Sequence, residues 1–529
     1  MKGAAMSAPT SRATAREWTG LAVLALPTLL ISIDVSVILL ALPRISETLG
    51  ADSAQQLWIM DIYGFLLAGF LITMGTIGDR IGRRKLLMIG GAAFAAASVL
   101  AAFSTSATML IAARGLLGVA GATLSPSILA LITNMFHDER QRGFAISIWL
   151  TCFMGGMLLG PLVGGVMLEH FWWGAPFLLG VPVMLLLLVT APALLPEYKA
   201  PQAGRLDLVS VVLSLGAILP MVYGLKELAK GDVSLAPFGA IGFGLLLAIV
   251  FIRRQVTLAH PLVDLKLFRN DAFTAVIGAM FLITVTGAIM VLTAQYFQLV
   301  AGLSPLWAGL CGLPAILLMI VAFMLAPKLA QTIRPGLLIA SGMGVAIVGL
   351  LIVLCFIQSY GVPAVIVGFA LFNLGCAPMV TLGTGIMMGF VAPERAGAAA
   401  ALQETSSEFG FSLGIAALGS LGTLVYRGML AGNLPAGLTA AQIHTATETL
   451  AGAAGVAASL PDGAPLLAAA GAAFTAALQL VVAVEAGVLL LVAIVALTAL
   501  RGVKPLGAGA GAHPTPPQAE TEDRLAAAQ

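Results

Sequence analysis

Fourteen apolar stretches divide this 529-residue chain, and they decide most of what it can fold into. They cover residues 21–42, 57–77, 86–103, 109–135, 143–168, 177–195, 208–225, 237–252, 273–299, 306–325, 336–357, 363–391, 397–425 and 474–500. Crossing a bilayer as a helix takes about 20 apolar residues. In lipid every backbone polar group must be satisfied internally, which leaves helices and closed barrels. Runs of this length without strict alternation read as helices, so the expected fold class is an all-α polytopic membrane protein with 14 transmembrane helices. Composition agrees: 60% of residues are hydrophobic and 9% charged, against about 25% charged in soluble chains. A net charge of +2 gives no reason to expect nucleic acid as a partner. Cys152, Cys311, Cys355 and Cys376 all sit in apolar runs without paired spacing. They read as packing residues, not as a disulfide frame or metal site. Residues 1–18 do not read as a cleavable signal, being too long and too mixed, and 21–42 is too long for a signal core.

An even number of spans puts both ends on one side. Nineteen Lys and Arg fall at one set of helix ends, among them Arg80, Arg83, Arg84, Lys85, Arg140, Arg142, Arg253, Arg254, Lys328 and Arg334. Four fall at the other: Arg44, Lys226, Lys230 and Arg427. Basic loops stay in the cytoplasm, so both termini are expected there. The segment 432–470 then faces outside and contains no Lys or Arg. It is expected to form short surface helices or no regular structure. The tail 502–529 is rich in Pro, Ala and Glu and is expected to be disordered.

Charges inside the apolar runs are the candidate functional groups. A carboxylate at a helix centre costs about 2.5–3.5 kcal/mol on insertion scales. Asp34 interrupts the first run, with the expected topology placing it in the outer half. Asp61 lies near the outer end of the second run, and Arg114 within two turns of the outer end of the fourth. Intramembrane ionisable groups face the bundle interior and pair with one another, so Arg114 is expected beside Asp34. The thirteenth run supplies Glu404 and Glu408, four residues apart and hence on one helix face. Two carboxylates so placed repel when both are ionised, which suits them to take up and release protons. Glu485 in the last run is a further candidate.

Several chemistries lack their residues. There is no GxxxxGK[ST] phosphate loop for direct use of ATP, and no His/Cys cluster at metal-ligand spacing. Gly410-Phe-Ser412-Leu-Gly414 matches the letters of a nucleophile elbow, but that motif needs a strand-to-helix turn. Here it falls inside a membrane helix, so no enzyme is expected, nor any cofactor or metal.

The segment 75–87, GTIGDRIGRRKLL, resembles the loop between helices 2 and 3 of the major facilitator superfamily. The resemblance implies a gating latch built from Gly75, Asp79, Arg80, Gly82 and Arg83. Arg114 and Gly118 resemble the family's RxxxG motif on helix 4, whose Arg is linked to proton coupling. On helix 5, Gly156, Gly160, Pro161, Gly164 and Gly165 match the antiporter motif gxxxGPxxGG, which marks exporters. Small residues there permit close packing and Pro161 bends the helix. Asp34 followed by Ala41-Leu42-Pro43 resembles the acidic motif of the 14-helix drug:proton antiporter branch. WIMDIY around Asp61 and QETSSEFG around Glu404 and Glu408 are similar to stretches of the quaternary-ammonium and dye exporters and the mycobacterial fluoroquinolone and dye pumps. Two departures stand out. The region 313–323, LPAILLMIVAF, lacks the acid those quaternary-ammonium exporters carry on helix 10, which removes that basis for divalent-cation handling. The second-half loop 326–336, APKLAQTIRPG, keeps Arg334 but lacks an Asp, so a one-sided latch is expected.

The resemblance implies a cytoplasmic segment 1–18 and a six-helix bundle at 19–196. A linker with two inserted helices at 197–270 and a second six-helix bundle at 271–501 follow, then the tail. A central cavity is expected between the bundles, with Asp34, Asp61, Arg114, Glu404 and Glu408 binding protons and substrate. Tyr63, Phe65, Met154, Met157 and Tyr296 are candidates for its wall, where methionine repacks at low cost. The implied function is proton-coupled efflux, by alternating access, of lipophilic cations: dyes, quaternary ammonium compounds and fluoroquinolones. The implied setting is a monomer in a bacterial inner (plasma) membrane. Alternatives are an exporter of an endogenous lipid, peptide or siderophore, and a non-transporting membrane scaffold or sensor.

Overall fold

The computed structural model describes residues 13–51, 53–199, 207–229, 234–258, 261–263, 265–303, 305–391, 396–435, 437–503 and 505. The expected N-terminal segment up to residue 12, the expected disordered tail from 506, Arg205, and the side chain of Pro161 lie outside the described residues.

All regular structure among the described residues is helical. The long helices are α1 Ala15–Leu49, α2 Ser53–Ile81, α3 Arg83–Ala102, α4 Ala107–Met135, α5 Glu139–His170 and α6 Gly180–Leu194, the last extended at its start by a 3-10 turn, Ala175–Leu179. Then come α7 Leu208–Ala229, α8 Leu235–Thr257, α9 Asp271–Val285, α10 Ala288–Gln295, α11 Pro305–Leu329, α12 Pro335–Tyr360, α13 Val362–Gly389 and α14 Ala396–Ala431. Two short helices, α15 Ala440–Glu448 and α16 Leu450–Ser459, precede α17 Ala464–Ala499. Thirteen segments among the described residues are long and apolar enough to cross a membrane. The α9–α10 segment continues through a π turn, Tyr296–Val300, and counts as one of them. With α5, 32 residues long, the long segments number fourteen. Large apolar side chains such as Val189, Val212, Leu246, Leu317, Leu424 and Leu490 stand exposed on the outer faces. That is the surface of a bundle solvated by lipid.

Helix ends overrun the apolar runs where polar groups cap them. α1 starts at residue 15 because Thr14 and Glu17 form a reciprocal capping box, satisfying N–H groups that the first turn leaves open. At 35 residues and 1.5 Å per residue, α1 is about 52 Å long, more than the hydrocarbon core it crosses. The opposite deviation occurs at α9. The uniform apolar run 273–299 breaks at Thr286-Gly287, where Thr286 Oγ1 donates to Ile283 O at 2.7 Å instead of continuing the helix.

Helices α1 to α6 pack among themselves, as do α9, α11 to α14 and α17. Glycines set the closest approaches. A Cβ on Gly156 of α5 would meet Leu29 O of α1 and lie 2.7 Å from Ser32 Cβ, and one on Gly164 would lie 2.8 Å from Val37. The pair α7 and α8 also packs glycine to backbone, through Gly224 and Gly244. At one end of the pair Arg254 Nε donates to Asp207 Oδ2 at 2.6 Å and Nη2 to Oδ1 at 3.0 Å. Those bonds to Arg254 hold the Asp207 carboxyl well below the usual carboxylate range. α7 then packs against both α2 and α14: Ile218 and Val222 form a cluster with Ile72, joined by Phe65, Leu402 and Phe409.

Candidate functional site

Arg114 and Asp34 meet inside the bundle. Arg114 Nη1 donates to Asp34 Oδ2 at 2.9 Å and Nε donates to Ile59 O at 3.0 Å. The Arg114 side chain is 1% exposed and that of Asp34 12%. Gly118, one turn beyond Arg114, makes the seat: a Cβ there would strike the backbone carbonyl of Tyr63. α4 therefore lies flush on α2, and the Arg114 guanidinium sits over the Tyr63 ring, 5.1 Å from its centre. Such a stack holds the cation where a carboxylate alone would leave it loose. Beside Asp34 lies a cavity of about 10 Å³, lined also by Phe94, Ser98 and Trp173. That is room for about one water.

Tyr63 links this pair to the other half. Asp34, Arg114, Glu408 and Glu404 all act on its hydroxyl electrostatically, and the hydroxyl is buried without a hydrogen-bond partner. Glu404 and Glu408 are half-buried on α14 and act on each other. The structure thus brings Asp34, Arg114, Tyr63, Glu404 and Glu408 into one electrostatic neighbourhood spanning both helix groups. Asp61 is half-buried on α2, two residues from Tyr63 and so on another face of that helix.

At the basic end of the bundle α2 and α14 are joined. Arg83 Nε donates to Asp79 Oδ1 at 2.8 Å and Nη2 to Gly75 O at 2.6 Å, with Arg83 fully buried. Asp79 Oδ2 accepts the N–H of Ala398 at 3.1 Å, in the first turn of α14. Gly397 leaves the space the guanidinium fills, since any Cβ there would overlap it. A Cβ on Gly75 would lie 2.6 Å from Ala401 Cβ. Gly82, at φ 114°, turns the chain into α3; its missing side chain makes room for Glu197, which accepts the N–H groups of Arg84 and Lys85 at 3.1 and 3.2 Å. Arg80 is half-buried and lies within electrostatic reach of Asp79 and Asp207. A second contact at the same end joins α5 and α11, where a Cβ on Gly143 would lie 3.4 Å from Pro327.

Residues 24–415 match the Major Facilitator Superfamily. The chain belongs to that superfamily. The multidrug efflux pump LfrA of Mycolicibacterium smegmatis is 45% identical over 454 residues, covering 85% of this chain and 90% of LfrA. The methyl viologen resistance protein SmvA of Salmonella typhimurium is 36% identical over 458 residues, covering 84% and 90%. The crystal structure of the human organic anion transporter MFSD10 superposes with a TM-score of 0.55 at 16% identity, covering 89% of this chain and 99% of that one. At that identity the likeness is one of fold.

Within this superfamily fold the remaining candidates fall in different places. Met154 packs on the main apolar core from α5, and Met157 is half-buried on the same helix. Phe65 sits against the α7 cluster and stacks edge-on with Trp58 at 6.4 Å. Tyr296 opens the π turn, with its hydroxyl 3.6 Å from where a Cβ on Gly361 would stand. Gly160 is buried in α5 and Gly165 faces open space. Gly410 and Gly414 lie mid-helix in α14 and seat it on α9, against Thr284 and Val285. No group of three or more His, Cys, Asp or Glu among the described residues is placed to hold a metal.

One group gains a setting that the sequence does not predict. Glu485 of α17 is fully buried, and its Oε1 accepts the N–H of Ile289 at 3.2 Å, just past the α9–α10 break. Pairing across 196 positions leaves no local signal. Of the two expectations for the region 432–470, the structure has the short helices, α15 and α16. Thr439 and Gln442 form a capping box that starts α15, and Tyr426 Oη donates to Ala446 O at 2.9 Å. These helices roof a cavity of about 320 Å³ lined by Ala288, Gln295, Thr423, Tyr426, Glu448 and Ala477, among others.

Proposed function

We propose that this chain exports lipophilic cations, including dyes and quaternary ammonium compounds, in exchange for protons. The carrying observation is the set Asp34, Arg114, Tyr63, Glu404 and Glu408: Arg114 pairs with Asp34 and lies over the Tyr63 ring, and the two acids of α14 lie within electrostatic reach of Tyr63. An apolar cation with a delocalised charge is recognised by carboxylates and an aromatic face together. The names of LfrA and SmvA, a multidrug efflux pump and a methyl viologen resistance protein, support that substrate class. The cation enters from the cytoplasm, pairs with ionised carboxylates and is displaced outside by protons. The membrane potential adds about 2.3 kcal/mol per charge per 100 mV. The basic loops favour a bacterial inner membrane with both termini cytoplasmic. On that reading this state is closed to the cytoplasm, with Asp79 and Arg83 as the latch.

Ethidium uptake into everted membrane vesicles tests the reading. Wild-type protein should concentrate the dye when the vesicle interior is acidified, and Asp34→Asn should abolish that uptake while the protein remains folded. Undiminished uptake by the variant would remove Asp34 from the mechanism. Absence of gradient-driven uptake of any cationic dye by the wild type would sink the exporter reading itself.

A further inference from the structure

Glu485 has no part in the site just described, yet it is the most deeply buried acid among the described residues. Its Oε2 is buried and has no hydrogen-bond partner. Neighbouring helices bring mainly apolar groups to this level, such as Leu418 of α14 and Leu292 of α10, which cluster with Val481 one turn away on α17. The titratable group acting on it from α13 is Cys376. A bare carboxylate in such surroundings has far too little solvation. A carboxylic acid fits them: one oxygen accepts from Ile289 and the other carries the proton.

The location adds a second argument. Glu485 caps α10 where the α9–α10 segment is broken, so the carboxyl and the bend are one unit. Ala288, the first residue of α10, also lines the roofed cavity of about 320 Å³. That cavity lies at the end of the bundle opposite the basic loops, beneath α15 and α16. The cavity wall thus comes within one residue of the N–H that Glu485 holds.

We propose that Glu485 is a further proton-binding site, set at the α9–α10 break and supplied from the roofed cavity, and that it discharges its proton when this bend rearranges during transport. The proposal deepens the proton-coupled reading and rests on it for the direction of proton flow. No covalent step is involved: a proton joins Oε2 and later leaves it to water.

Glu485→Gln separates carrying a proton from capping a helix. The amide oxygen still accepts from Ile289, so a purely structural role survives, while the side chain no longer titrates. Reconstituted variant should still exchange labelled for unlabelled ethidium without a gradient, and should lose concentrative uptake driven by a pH gradient. Uptake equal to wild type would overturn the proposal. Should the variant fail to fold, a second measurement on wild-type protein decides. Dicyclohexylcarbodiimide reacts with protonated carboxyl groups in apolar surroundings. Mass spectrometry should find its adduct at Glu485, declining as the medium is made alkaline; no adduct at any pH would overturn the proposal. This arm needs no transport, so it stands even where wild-type protein moves no dye and the exporter reading itself fails.

Discussion

Replacing Asp79 by Asn should shift this transporter towards the state open at its basic end. The carboxylate serves two contacts: it pairs with Arg83 within the same helix group, and it accepts the Ala398 N–H from α14 at 3.1 Å. Only the second is broken when the two groups part. A hydrogen bond to a charged acceptor contributes about 1.5–3 kcal/mol, and a negative charge at a helix N-terminus adds about 0.3–1 kcal/mol. Asn keeps an acceptor oxygen without the charge, and neutral bonds are about half as strong. The closed state should therefore lose about 1–2 kcal/mol, a shift of about 5- to 30-fold in its population. Spin labels at Glu139 and Lys328, both exposed at the basic ends of α5 and α11, report the opening by double electron–electron resonance. The Asp79→Asn change also leaves buried Arg83 without its anion, which lowers overall stability. Gly397→Ala is therefore the companion variant: it keeps both charged side chains and places a methyl group where the guanidinium lies while α14 is docked. Both should populate a longer distance. Wild-type distributions in both variants would refute the latch.

Other expectations follow from the same geometry. Gly156→Ala should cost about 1–3 kcal/mol of stability by overpacking against Leu29 and Ser32, whereas Gly165→Ala, facing open space, should be neutral; melting in detergent compares them. Tyr63→Phe removes a buried hydroxyl that has no partner, so the protein should melt no lower than wild type. A fall of more than about 1 kcal/mol would show that the hydroxyl is bonded. Asp207 is held below the usual carboxylate range by Arg254. A depressed folded value gives stability that is present above the unfolded value and lost as pH falls through the folded one. The stability gap between wild type and Asp207→Asn should therefore be constant at neutral pH and shrink below about pH 4, the ordinary Asp value.

The legible parts of this structure were those where a charge or glycine interrupts an apolar run. Asp34 and Arg114 announce themselves because lipid tolerates neither alone, and topology places them at one level; the 2.9 Å pair follows. Gly118 and Gly156 are legible for the converse reason, since a helix run gains nothing from glycine unless another backbone lies against it. The α9–α10 break was not legible. Every residue around Thr286 is apolar or small, so hydropathy is blind to it, and the group that completes the bend comes from α17. α15 and α16 were legible only as one of two outcomes, because the choice rests on their caps and on the Tyr426 tether.

The placement of α7 carries a consequence for how greasy molecules get in. That helix lies across the joint of α2 and α14 like a gasket, its Ile218 and Val222 filling the groove with Ile72, Leu402 and Phe409. A guest dissolved in the bilayer meets a plugged crevice on this flank. On the export reading proposed above, lateral entry on opening of the basic end would then fall to the contact between α5 and α11, where Gly143 meets Pro327.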